Sequence, residues 1–164
     1  MKSKVWIMLL LCLMTASMSI HAQSKAKYIG SIELQAGKDN SENIPCVGFT
    51  TVHGVQFNPH IFLGGGISVN QYTKRQIQTH IPVFGDIKVN VLKTRLNPYL
   101  DIRGGYNFVK YDGLFLAPGI GMDYRVDRWT SVNIRYSYML QLTSKQDHVT
   151  TGYASHMFVV GYSF

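Results

Sequence analysis

Apolar and polar residues alternate along most of this chain. Between residues 28 and 37, Ile32 and Leu34 take the apolar positions, and Ser31, Glu33 and Gln35 take the positions between them. A two-residue period places successive side chains on opposite faces of a β-strand. The same kind of alternation predicts eight strands, over residues 28–37, 46–57, 60–72, 80–92, 98–109, 114–126, 129–142 and 152–164.

The predicted strands are long and even in number. Most span 10 to 14 residues, whereas strands of soluble proteins average about 5 to 6 residues and transmembrane strands need about 9 to 11. An even number of strands returns both termini to the same side of a sheet. Because no segment carries a convincing helical pattern, we predict an all-β fold, an eight-stranded antiparallel up-and-down transmembrane β-barrel.

The predicted connections are of two kinds. Asn58-Pro59, Lys93 to Asn97 and Asp127-Arg128 are short turns, whereas most of the alternate connections, at 38–45, 73–79, 110–113 and 143–151, are longer and polar. Short periplasmic turns and longer outer loops are typical of outer-membrane barrels, so we expect both termini in the periplasm. Aromatic residues near both strand ends predict two girdles: Phe57, Tyr124, Trp129, Tyr162 and Phe164 at one end, and Tyr106, Phe108 and Tyr138 at the other.

Charged residues of the strands fall on the faces opposite the apolar ones. A charge in the middle of a bilayer costs about 2 to 4 kcal/mol, so the apolar faces should point to lipid and the charged faces inward. Pairing compensates buried charges, and an eight-stranded barrel is about wide enough for side chains to fill. We therefore predict one salt-bridge network that crosses the interior and closes it, made of Glu33, Asp86, Lys88, Asp101, Arg103, Asp123, Arg125 and Arg135.

The first 22 residues have the pattern of a secretory signal peptide. Lys2 and Lys4 precede an apolar run over 5–14, and small residues lead to a cleavage site after Ala22. We predict a signal peptide at 1–22 and one barrel domain at 23–164. Cleavage lowers the formal net charge from +7 to +5 and leaves Cys46 as the only cysteine, so no intramolecular disulfide forms. The basic residues do not form a stripe, so we expect no nucleic-acid partner.

The last strand carries an aromatic ending. Its apolar face holds Phe158, Val160, Tyr162 and Phe164, and Phe164 is the final residue. This strand resembles the closing strand of bacterial outer-membrane proteins, which in that family is the signal read by the barrel-assembly machinery. The whole region after residue 22 resembles the small eight-stranded outer-membrane barrels of the OmpA/OmpX type, and especially the porin-like barrels of the Bacteroidota. The resemblance implies a location in the outer membrane, contact with its lipid, and the assembly machinery as a partner during biogenesis. We expect a monomer.

Two classes of function remain open. The first is a structural or surface-interaction barrel, and the second is a lipid-modifying enzyme. Lipid A deacylases resemble this chain near the C-terminus, where Arg135-Tyr136 matches their pattern, but Tyr138 replaces their catalytic His and no Ser-Asn pair follows. Without a base beside a serine there is no activated nucleophile, so we expect no enzyme. Ser144 and His148 are interpreted as polar loop residues. A narrow pore and a soluble lipocalin-like binder are further alternatives.

Cofactor and metal sites are not expected. The five histidines after the signal peptide are scattered singly, without ligand spacing: His53, His60, His80, His148 and His156. The run Gly64-Gly65-Gly66 lacks the Lys-Ser/Thr ending and the helix of a phosphate-binding loop. Glycines inside strands are more typical of kinks where a small barrel curves.

Overall fold

Long β-strands make up almost all of the part of the chain that the structure describes. The computed structural model describes residues 26–40, 43–73, 77–109, 113–145, 148–149 and 153–164, so the predicted signal peptide lies outside the described residues. Within these ranges no helix is long and apolar enough to cross a membrane. The strands are β1 (Lys27–Asp39), β2 (Pro45–Gln56), β3 (Ile61–Thr73), β4 (Ile77–His80), β5 (Pro82–Asn90), β6 (Leu96–Asn107), β7 (Gly113–Arg125), β8 (Ser131–Lys145), β9 (His148–Val149) and β10 (Tyr153–Ser163).

The sheet closes on itself. All neighbouring strands are antiparallel, and β10 pairs with β8 on one side and with β1 on the other. β4 and β5 both pair with β3 in an unchanged register and form one barrel strand, interrupted at Ile81 before Pro82, which has no N–H to donate. The two-residue β9 only extends the end of β8. The predicted eight-stranded antiparallel barrel is therefore confirmed.

The strand boundaries agree with the alternation to within a few residues, with two clear exceptions. The prediction of a polar loop at 143–151 is wrong in part, because Ser144 still belongs to β8, which ends at Lys145, and His148–Val149 forms β9. The prediction of a polar loop at 73–79 is wrong, because Thr73 still belongs to β3 and Ile77–His80 forms β4. The β3–β4 ladder continues through the pairs Thr73–Ile77 and Gln71–Thr79. Thr and Ile favour extended backbone, so a polar segment can remain a strand where it leaves the bilayer.

The exterior of the barrel is apolar and its interior is mostly polar. Among the described residues, eleven apolar ones are buried, against nineteen polar or charged ones, which is the reverse of a water-soluble fold. Outward side chains form an apolar band on every barrel strand, for example Leu34 at 67% exposed, Ile87 at 54% and Ile134 at 59%. A continuous band of this size is far larger than the apolar patches of soluble monomers and matches a lipid-facing surface.

Inward glycines on β3 make room for aromatic rings. A Cβ on Gly64 would lie 2.6 Å from Cζ of Phe62, and one on Gly66 would lie 2.7 Å from Cζ of Phe84. No described glycine has a positive φ. Gly64 and Gly66 thus have a packing role, in which two bulky rings take the space that side chains would need; the expected kink at 64–66 stays a prediction.

Tight turns join the strands at the end of the barrel where β1 begins and β10 finishes. We call this the termini end, and the opposite end of the barrel the far end. Asn58 Oδ1 accepts hydrogen bonds from the N–H groups of His60 and Ile61, both at 2.8 Å. Asp127 Oδ1 accepts from Trp129 N at 2.6 Å and Thr130 N at 2.9 Å. These backbone bonds to Trp129 and Thr130 hold the pKa of the Asp127 carboxyl below its usual value. Asn and Asp side chains therefore fix the chain reversals.

Candidate functional site

A buried guanidinium joins opposite walls of the barrel. Arg103 donates from Nη1 to Glu33 Oε2 at 2.6 Å and from Nη2 to Glu33 Oε1 at 2.7 Å. Arg103 lies on β6 and Glu33 on β1, which are four strands apart in the ring of eight. This bidentate pair therefore spans the barrel diameter. Fork-shaped pairs of this kind combine charge with fixed geometry.

The same arginine also holds the carboxylates beside it. Arg103 Nε lies 3.1 Å from Asp86 Oδ2 and 3.4 Å from Asp101 Oδ2. Asp86 faces Arg103 directly across the β5–β6 ladder. One cation thus binds three acids that come from three different barrel strands. Of these contacts, only the one with Asp86 joins residues that face each other on neighbouring strands.

A second arginine enters the layer from β8. Arg135 Nε lies 2.8 Å from Asp101 Oδ2 and 3.0 Å from Asp101 Oδ1, although β7 separates their strands. Gly119 of β7 makes this contact possible. A Cβ on Gly119 would lie 2.4 Å from Asp101 Oδ1 and 2.6 Å from Arg135 Nε. Sequence analysis missed the role of Gly119. The signal that could have revealed it is a position without a side chain on the inward face of β7, between a strand with an acid and a strand with a base.

A third cation is paired nearer the termini end. Lys88 Nζ of β5 lies 3.2 Å from Asp123 Oδ2 of β7. Tyr99 of β6 fills the space between these strands, and its ring centroid lies 4.6 Å from Lys88 Nζ. Phe62 provides a second ring at 5.6 Å. The ammonium is therefore held by a carboxylate and by two aromatic faces.

Arg125 does not join the charge network. It is the last residue of β7, and its side chain is exposed at the termini end. The alternation along β7 assigns Arg125 to the inward face, as sequence analysis expected. At this end of the strand, however, the side chain lies beyond the packed interior of the barrel. The structure brings seven of the eight predicted residues into ion pairs and places Arg125 at the mouth of the barrel.

Two kinds of packing close the middle of the barrel. The ionic layer consists of Glu33, Asp86, Asp101, Arg103 and Arg135, and each is only 2 to 7% exposed. A water-filled channel through this layer would leave these side chains exposed. Toward the far end follows an apolar layer, in which the rings of Phe84 and Phe115 meet edge to face at 6.1 Å. Its other members are Cys46, Tyr72, Ala117, Met139 and Met157.

The residues of the predicted assembly signal form the outer face of β10. Phe158, Val160, Tyr162 and Phe164 are all exposed on the lipid-facing side. The backbone of Phe164 exchanges two hydrogen bonds with Gly30, at 2.8 and 2.9 Å, which completes the seam with β1. A Cβ on Gly30 would lie 2.7 Å from the Phe164 ring, so glycine accommodates this last aromatic residue. The assembly role itself stays a prediction.

Serine and histidine are kept apart in the deacylase-like stretch. Ser137 is buried inside the barrel, whereas His156 lies on the outer face, stacked on Tyr136 and bonded through Nδ1 to its hydroxyl. Tyr138 contacts the same imidazole ring at 5.0 Å. The side chains of Ser144 and His148 lie outside the described residues. In the described part of the chain no group of three His, Cys, Asp or Glu residues is arranged to hold a metal ion.

The chain is similar in structure to small barrels of bacterial outer membranes. No family model matches the sequence, and no curated protein matches it. Neisserial surface protein A is 15% identical, with a TM-score of 0.61 over 84% of this chain and 97% of that one. The outer membrane enzyme PagL is 8% identical, with a TM-score of 0.54 over 82% and 98%. The N-terminal β-barrel domain of Pseudomonas aeruginosa OprF is 14% identical, with a TM-score of 0.51 over 85% and 100%.

These similarities establish the fold. One of the three structures is an enzyme by its description, so the shared architecture does not choose between activities. The comparisons do not support the narrower resemblance to the porin-like barrels of the Bacteroidota. The chain has the eight-stranded barrel fold of small bacterial outer-membrane proteins.

Proposed function

We propose that the protein is an integral outer-membrane barrel that is closed to solutes and acts as a structural or surface-interaction component. The observation that carries this proposal is the pair of packed layers across the interior. Arg103 reaches Glu33 on the opposite wall, and the apolar layer around Phe84 and Phe115 lies next to it. An ion would have to break the first layer and pass the second without hydration, and both steps cost several kcal/mol.

We propose that the termini end faces the periplasm. The termini end carries the short turns fixed by Asn58 and Asp127, which suits the periplasmic side. The outer side then carries the connections between β1 and β2, β3 and β4, β6 and β7, and β8 and β10. These outer connections are short for a dedicated binding surface. We therefore favour a role in the membrane itself over a role as an adhesin.

Planar-bilayer recording tests the closed interior. We expect the wild-type protein to give at most rare, small openings, because the side chains of the ionic layer are only 2 to 7% exposed. An established porin inserted in the same membrane is the positive control. Steady, large single-channel conductance from the wild-type protein would overturn the proposal and favour the pore.

A lipid-modifying enzyme is the second candidate, because one structurally similar barrel is an outer membrane enzyme. The separation of Ser137 from His156 by the barrel wall argues against a serine nucleophile in this stretch. Incubation of the folded protein with lipid A, followed by mass spectrometry, tests it directly. Release of an acyl chain that Ser137→Ala abolishes would replace the non-enzymatic proposal.

A further inference from the structure

The termini end of the barrel opens into a cavity that the packed layers do not account for. Its volume is about 980 Å³, within the range of cavities that hold small ligands. Phe62, Lys88 and Asp123 line its inner part, next to the charge network. The turns after β2, β5 and β7 form its rim.

Positive charge dominates this cavity. Five cationic side chains and two carboxylates line it: Lys27, Lys88, Arg95, Arg125 and Arg128, with Asp123 and Asp127. Both carboxylates are already engaged, since Asp123 pairs with Lys88 and Asp127 accepts the backbone bonds of its own turn. A concave, low-dielectric wall focuses the field of the remaining cations.

Three arginines at the mouth are not used by the fold. Among the described residues, no ion pair or side-chain hydrogen bond engages the guanidinium groups of Arg95, Arg125 or Arg128. Guanidinium groups match the two-oxygen edge of a phosphate or carboxylate. The guanidinium groups at the rim can therefore bind anionic oxygens. The arginines of the interior, in contrast, already form ion pairs with Glu33 and Asp101.

The deeper wall of the cavity offers hydrogen-bond acceptors. Asn90 is only 6% exposed, and its Oδ1 has no hydrogen-bond partner within the described residues; the same is true of Asp123 Oδ1. Asn90 Nδ2 is engaged by Pro59 O at 3.4 Å, so the amide is held in place. Buried acceptors of this kind favour a ligand that carries hydroxyl or N–H donors.

We infer that this mouth is a binding site for a small polyanion whose phosphate or carboxylate groups meet Arg95, Arg125 and Arg128. The hydroxyl or N–H donors of the ligand point inward to Asn90 and Asp123. The site goes beyond the proposed structural function and does not depend on it. Only the compartment that supplies the ligand, the periplasm, depends on the proposed orientation.

Trp129 gives a direct signal for this site. It is the only tryptophan after residue 22, because the other one is Trp6. Lys27 Nζ lies 5.1 Å from its ring centroid and donates to Arg128 O at 3.1 Å. An anion that binds the Arg128 side chain also attracts the nearby ammonium group of Lys27. This changes the charge next to the indole ring of Trp129. Trp129 emission should therefore respond to occupancy of the mouth.

The test is a fluorescence titration with inorganic pyrophosphate and citrate as probes. The sample is the barrel without the predicted signal peptide, folded into zwitterionic nanodiscs. We expect a saturable change with at least one of them, and its affinity to fall by about tenfold or more in Arg125→Gln/Arg128→Gln, since each lost bond to a charged group is worth about 1.5 to 3 kcal/mol. The matched control is Lys38→Gln, an exposed cation on β1 near the far end, which should bind as the wild type does.

The outcomes separate the sources of the anion. Preference for pyrophosphate over citrate assigns a phosphate ligand, and the reverse preference assigns a carboxylate. Competition by an anionic phospholipid added to the nanodisc assigns a lipid headgroup, and its absence assigns a soluble anion. The inference is overturned if the change is not saturable, if sodium chloride at equal ionic strength reproduces it, or if the double variant binds as tightly as the wild type.

Discussion

At the residue scale, stability of the interior depends on a few side chains that serve several partners. Arg103 binds Glu33, Asp86 and Asp101 at once, so its removal leaves three acids without their shared cation. Gly119 contributes by lacking a side chain, since Asp101 and Arg135 meet across it. Both effects come from the narrow interior of an eight-stranded barrel, where side chains from strands that are not neighbours meet.

Arg103→Ala should destabilise the barrel strongly. Breaking a buried ion pair by removing one partner costs about 3 to 5 kcal/mol. Urea unfolding in lipid vesicles, followed by tryptophan fluorescence, measures the change. Asp86→Ala and Asp123→Ala should shift stability in the same direction. Arg125→Ala is the matched control, because its exposed side chain is outside the network and its loss should leave stability nearly unchanged. Equal effects of Arg103→Ala and Arg125→Ala would contradict this account.

Gly119→Ala should also destabilise the fold, because the added methyl group occupies the space in which Asp101 and Arg135 meet. Overpacking of this kind costs about 1 to 3 kcal/mol. The control is Gly85→Ala, since a Cβ there would have no neighbour closer than 3.9 Å. The same unfolding measurement applies, and a wild-type midpoint for Gly119→Ala would show that the contact tolerates displacement.

At the element scale, β10 closes the barrel. It pairs with both β8 and β1, and its outer face ends in Tyr162 and Phe164. Without this strand, two neighbours would present open hydrogen-bonding edges inside the membrane, which no lipid group can satisfy. The last strand is thus required for closure in addition to its predicted role as the assembly signal.

Deletion of 162–164, or Phe164→Ser, should block assembly and leave the chain degraded or aggregated. Both changes remove the terminal aromatic group, and the deletion also removes backbone partners of Gly30 to Ile32. Immunoblotting of outer-membrane fractions measures the outcome. Phe108→Ser is the matched control, because Phe108 is also an exposed aromatic residue, at 61% against 46% for Phe164, but lies at the far end and outside β10. Normal assembly of the deletion would show that the terminal motif is incidental.

At the scale of the whole molecule, the barrel is an inverted protein, apolar outside and charged inside. This distribution is stable only if lipid covers the outer band. In water, the barrel would expose apolar surface around its entire circumference. The same inversion lets the interior hold a dense charge network. The ionic and apolar layers fill one part of the length of the barrel. The basic mouth at the termini end forms the part that is accessible to solvent.

The protein without the predicted signal peptide should fractionate with outer-membrane vesicles and migrate at different apparent sizes with and without boiling. The closed ladder from β1 to β10 keeps the barrel compact until heat breaks it. Fractionation followed by semi-native electrophoresis tests both statements, with a soluble periplasmic protein as the control. Recovery in the soluble periplasmic fraction would contradict membrane insertion and favour the lipocalin-like alternative.

Alternation in the sequence predicted the number of strands, their faces and the lipid-facing surface. A period of two assigns each side chain to one side of a strand, and Ile32, Leu34 and Glu33 fell on the sides expected of them. Antiparallel order also predicted Asp86 opposite Arg103. These features are local, or involve adjacent strands, so the linear pattern contains them.

Tertiary structure decided which charges meet across the barrel. The pairing of Arg103 with Glu33, 70 residues apart in sequence, depends on closure and on the register of every strand between them. Gly119 and the exposed position of Arg125 likewise depend on the height of each residue along the barrel axis. Alternation fixes the side of a strand on which a residue lies; its height and its partner across the interior are properties of the closed barrel, because they are set by the pairing of all eight strands together.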